Sequence, residues 1–245
     1  MLLSAEVDSL DAQDPGRFRN AWWGVMLVGL LWGLGLCGAW GGGAMIFGDF
    51  EGLLIMPAMV TLTMTVLVPG RRGIIALSEL AGRSRASQSL LRSLVLVVFA
   101  LCLVVMRSNP HYAEYPLPAW IDWIRPHWKP FRVLLLMPLW GGWAMLIATR
   151  FNRLSPDAHQ AVVAFARGCG PVHAACCLVL PLAGSLFYFH YLKIHQQLSV
   201  AFLPVVVAVV GGCMICRRTG LDRRQLLAVN LLTQSAFLLG FLANK

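Results

Sequence analysis

The sequence predicts an all-α fold, a polytopic transmembrane helical bundle of about seven spans, with six to eight allowed. Three observations carry this. Hydrophobic residues make up 58% of the 245 and charged residues only 13%, with a mean hydropathy of +0.69. That is far from the balance of a chain that must dissolve in water. The apolar residues gather into uninterrupted runs instead of alternating with polar ones, and all eleven acids, from Glu6 to Asp222, fall between the runs. A hydrocarbon layer of about 30 Å demands such runs, because each span must close its backbone hydrogen bonds internally.

The first 21 residues are polar, with Glu6, Asp8, Asp11 and Asp14 among them. They read as a cytoplasmic segment before one transmembrane domain, 22–245. The run that follows is too long for a cleaved signal peptide and lacks a small-residue cleavage site. Seven apolar segments are expected at 22–47, 52–69, 93–106, 133–149, 169–189, 197–216 and 225–243, the third and fourth short for a full crossing. The first holds Gly29, Gly33, Gly38 and Gly42, two pairs at four-residue spacing that let another helix come close. Packing within the chain is the simpler use of them, and a separate subunit or second copy the other.

The net charge of +9 assigns orientation here, so no nucleic-acid partner is expected. Fourteen of the twenty Lys and Arg side chains fall in alternate connections that begin with the N-terminus, and six in the others. This places the N-terminus in the cytoplasm of an inner (cytoplasmic) membrane. Residues 71–92 form a basic amphipathic segment, with Ile74, Leu77, Leu80 and Ala81 on one face, expected to lie on the anionic leaflet. The connection 107–132 carries Trp120, Trp123, Ile124 and Trp128 at helical spacing and reads as an interfacial loop on the outer side.

Candidate chemistry is sparse. Arg167 to Leu178 holds Cys169, His173, Cys176 and Cys177, and a helix starting near Gly170 would set Cys169, His173 and Cys176 on one face. Cys213 and Cys216 lie one turn apart at the end of the sixth segment. A thiolate–imidazole site from Cys169, His173, Cys213 and Cys216 is conceivable for zinc or copper(I). Cysteines placed singly in spans, as Cys37 and Cys102 are, pack as small hydrophobes, so no metal or cofactor is expected. His190 and His195 bracket Lys193 and read as solvated ends. Asn230 and Gln234, four residues apart in the last segment with Thr233 and Ser235, are buried amides that hydrocarbon would penalise. Interhelical bonding accounts for them, and they are the residues to line a polar substrate cavity if one exists. Thr61, Thr63 and Thr65 can bond their own helix backbone. No acid sits within a span, and the ionisable group that coupled carriers place near the midplane is missing; no Gly-x-Ser-x-Gly elbow or phosphate loop occurs.

Two stretches, Met-Pro-Leu-Trp-Gly-Gly-Trp-Ala-Met-Leu at 137–146 and the tail from Arg217 to Leu242, resemble the cobalamin synthase family of membrane enzymes. They cover about 36 of 245 residues. The family's acidic signature has no counterpart; the matching place, 71–82, holds Glu79 as its single acid. The resemblance implies at most a diverged transferase without that catalytic motif. The expected role is a non-catalytic, permease-like or accessory subunit of a membrane complex, with an enzyme acting on an amphipathic substrate as the alternative.

Overall fold

The computed structural model describes residues 21–47, 56–65, 70–82, 84–108, 129–189, 193–217 and 220–243. Among them the helices are α1 (Ala21–Phe47), α2 (Met56–Thr65), α3 (Arg71–Ala81), α4 (Arg85–Ser108), α5 (Lys129–Phe151), α6 (Gln160–Gly168), α7 (Pro171–Tyr188), α8 (Ile194–Cys216) and α9 (Arg223–Ala243). Six of these, α1, α4, α5, α7, α8 and α9, are long and apolar enough to cross a membrane. The protein is therefore an all-α bundle of the integral membrane type. The short third and fourth segments grow into full helices by adding polar ends, Arg85 to Arg92 before one and Lys129 to Arg132 before the other.

Helix α5 is the axis. Of its apolar window 83% is buried, against 22–33% for α1, α4, α7 and α8. It runs antiparallel to α1, with Gly142 beside Val25, Gly29 beside Pro138 and Gly33 beside Leu135. A methyl on Gly33 would stand 2.6 Å from the Leu135 carbonyl oxygen, so the two backbones meet where only glycine fits. Against α7, the indole N–H groups of Trp140 and Trp143 donate to Ser185 Oγ and the Ala174 carbonyl, both at 3.0 Å. Trp140 also lies against Phe237 of α9. Buried indoles thereby gain packing without stranding a donor.

Of the second expected span, 56–65 is described and is helical as α2; its ends, 52–55 and 66–69, lie outside the described residues. The next described helix is α3. α2 begins beside the end of α1, where Pro57 abuts Gly43. α3 packs along α9 in the opposite sense: Gly73 meets Leu227 and Leu231, and Glu79 pairs with Arg224 at 3.5 Å. The 10 and 11 residues together cover about 30 Å at 1.5 Å per residue, one membrane thickness. They return the chain to the end of the bundle where α1 starts. This also corrects the surface helix expected at 71–92. Gly73, Ile74, Ala76 and Ser78 are buried, the chain turns at Gly82, and Arg92 already belongs to α4, its Nε donating to Ser78 Oγ at 2.8 Å. The glycine lets α3 sink against α9, which a helix lying on lipid would not do.

At that same end of the bundle Trp22 stacks on His173, Leu154 pairs with Leu221 and the Arg150 guanidinium donates to the Ala166 carbonyl. Two of the open questions of glycine spacing resolve here. Gly29 and Gly33 serve α5, whereas a methyl added to Gly38 or Gly42 would meet nothing within 4 Å among the described residues. Gly33→Ala should therefore lower the stability of the isolated chain by about 1–3 kcal/mol through backbone overpacking. Gly38→Ala should raise it by up to about 1 kcal/mol through helix propensity. Thermal unfolding of both variants in detergent checks the contrast.

Candidate functional site

The amides of the last helix face α5. Gln234 Nε2 donates to Asn230 Oδ1 at 2.5 Å, and both lie on Gly141, where an added methyl would come within 2.6 Å of Gln234 Nε2 and 2.9 Å of Asn230 Oδ1. Both residues are half-buried. The pair satisfies part of its own polarity one helical turn apart, and the glycine opposite makes room for it. Ser235 donates to the Leu231 carbonyl at 2.9 Å. Thr233, fully buried between them, has no partner for its Oγ1 among the described residues. The threonines of α2 behave as their chemistry allows: Thr61, Thr63 and Thr65 each donate to the carbonyl four residues earlier at 2.8 Å.

The cysteine–histidine stretch is drawn apart by the fold. Helix α7 begins at Pro171, and His173 Nδ1 accepts the Gly170 N–H at 3.0 Å while its ring stacks on Trp22 at 4.5 Å. One imidazole nitrogen is thus occupied in starting the helix. Cys169 is fully buried under Leu146, and burial pushes its thiol above the ordinary range against the opposing influence of Thr149 and Arg150. A thiol held neutral is a poor metal ligand and nucleophile. Cys176 is exposed and Cys177 buried, one on each face of α7. Cys213 and Cys216 belong to a different place, a cleft between the ends of α5 and α8. Among the described residues no three His, Cys, Asp or Glu side chains come together at metal-binding distance. His195 is exposed at the start of α8, and His190 lies outside the described residues, as does most of the tryptophan-rich connection at 109–128.

That cleft was not foreseen. It measures about 480 Å3 and is lined by Phe151, Asn152, Arg153, Leu154, Pro156, Cys213, Cys216, Arg217 and Gly220. Its sequence signal is Gly220, which takes φ +77°, a value that favours glycine. Asn230 and Gln234 are not among its walls.

No protein-family model matches the chain, and no curated protein or solved structure matches it either. The stretch 137–146 packs on the tail, Gly141 against Asn230 and Gln234.

The Gly141 contact is testable as a coupled pair. Gly141→Ala should destabilise the protein by about 1–3 kcal/mol by pushing the Gln234 amide aside. Gln234→Ala in the same chain should restore most of that loss, a coupling that a double-mutant cycle of unfolding free energies reads directly.

Proposed function

We propose that this integral membrane protein is a non-catalytic, permease-like or accessory subunit of a membrane complex, and that a helix of another subunit docks on α1. The observation that carries this is the outward face of α1. Among the described residues nothing lies within 4 Å of a methyl added to Gly24, Gly35, Gly38 or Gly42, and with Leu31 these glycines fall within about 60° of one another. The opposite face holds Gly29, Gly33, Leu36 and Trp40, packed inside the chain. Each glycine costs a helix about 1 kcal/mol relative to alanine. Lipid returns nothing for that cost, whereas close approach of a second helix does.

We further infer an inner (cytoplasmic) membrane with the start of α1 toward the cytoplasm. The support is electrostatic. Arg150, Arg153, Arg167, Arg217, Arg223 and Arg224 cluster at the end of the bundle where α1 begins, and the positive-inside bias sends that end to the cytoplasm.

Native mass spectrometry from mild detergent tests the docking. The wild-type chain should carry the mass of an additional subunit. Gly35→Leu, Gly38→Leu and Gly42→Leu combined should remove it while leaving the thermal unfolding of the isolated chain close to wild type. A wild-type chain that flies bare at every concentration would refute the proposal.

A further inference from the structure

The cleft between α5 and α8 is built as a rigid cradle. The chain leaves α5 through Asn152, whose Nδ2 donates back to the Ala148 carbonyl at 2.9 Å. Residues 153–155 are then clamped to the α8–α9 connection. The Leu221 N–H donates to the Arg153 carbonyl at 2.7 Å, and the Ser155 N–H donates to the Leu221 carbonyl at 3.0 Å. Gly220 closes the end of α8, its N–H donating to the Cys216 carbonyl at 2.9 Å. A methyl there would stand 2.7 Å from Ser155 Cα, so the two connections touch through glycine.

Charge inside this cradle is one-sided. Arg153 and Arg217 line it, both exposed, and neither has an ion-pair partner among the described residues. Among the described residues no carboxylate lines the cleft. Asp222, the acid just beyond it, is turned away to accept the His159 N–H at 3.2 Å, and Glu79 is occupied by Arg224. The remaining walls, Phe151, Leu154, Pro156, Cys213 and Cys216, are apolar or weakly polar. Phe151, 58% exposed, marks the last turn of α5, which is the level where a spanning helix meets headgroups. Helix C-termini attract cations, and that explains one arginine at each helix end. It does not explain why two clamped connections leave a cleft of about 480 Å3 between them. Guanidinium forks suit phosphate oxygens, and basic pockets between spanning helices are a recognised setting for lipid phosphates.

We propose that this cleft binds a phosphate group, with Arg153 and Arg217 as its two donors. The phosphate belongs either to the headgroup of an anionic lipid whose chains run past Phe151, or to a soluble phosphate compound.

The test uses the full chain in a non-ionic detergent. Phosphatidylglycerol, phosphatidylcholine and inorganic pyrophosphate are titrated separately, and bound mass is read by native mass spectrometry. The Arg153→Ala/Arg217→Ala variant should bind about thirty-fold more weakly than wild type, the expected loss of two headgroup-level cations. Arg71→Ala/Arg72→Ala, which removes the same charge elsewhere, should bind as wild type does. Cys213→Phe keeps every charge and fills the cleft, so it should also lose binding, which covers the case in which the double arginine variant does not fold. Preference for phosphatidylglycerol assigns the lipid source, and saturable pyrophosphate binding assigns the soluble one. Equal losses in both arginine variants, retained binding in Cys213→Phe, or no phosphate binding by the wild-type chain would each overturn the proposal.

Discussion

The backbone contact between α1 and α5 is what the rest of the bundle is arranged around. Hydrocarbon gives two helices no hydrophobic reason to associate, so attraction has to come from close packing and from polar groups that find each other. Gly29 and Gly33 let the α1 backbone settle onto Pro138 and Leu135. Pro138 has no N–H to lose, and the bend a proline permits inside a helix is accommodated where a partner lies this close. With α1 seated, the opposite sides of α5 are free for the tryptophan-mediated contacts to α7 and for Gly141 beneath the amides of α9.

The same economy governs polar atoms. The buried indoles, the threonines of α2 and the amide pair of α9 are all answered by groups within the bundle, and most of these answers are local. A side chain that donates to its own helix four residues back adds no constraint between helices. Trp140 to Ser185, Trp143 to Ala174 and Arg92 to Ser78 do add one, and they fix the register of α7 on α5 and of α4 on α3. Thr233 is the exception, a fully buried hydroxyl without an answer among the described residues.

Much of this could be read from the sequence, because the dominant physics is one-dimensional. Six of the seven uninterrupted apolar runs correspond to helices long and apolar enough to cross a membrane, and Gly29 and Gly33 advertise a close helix. The amide pair announces itself by polarity alone. What sequence could not convey is direction around a helix. Gly29 and Gly38 look equivalent as letters, yet one touches α5 and the other faces outward. Equally hidden was the place of α3, whose amphipathic run resembles a surface helix until Gly73 is seen against α9. The Cys213–Cys216 pair and Cys169 seemed candidates for one cluster because both lie near the same membrane face; separation within that face is invisible to hydropathy.

The seating of α3 on α9 has a consequence for biosynthesis. The surface that receives α3 is on α9, which is made well after it. Until α9 emerges, Gly73 has no Leu227 or Leu231 to rest on, and the arginines at 71 and 72 resist entry into lipid. The fold's N-terminal half is therefore completed from its C-terminal end. A chain halted before residue 223 would leave Gly73 without the α9 surface it rests on.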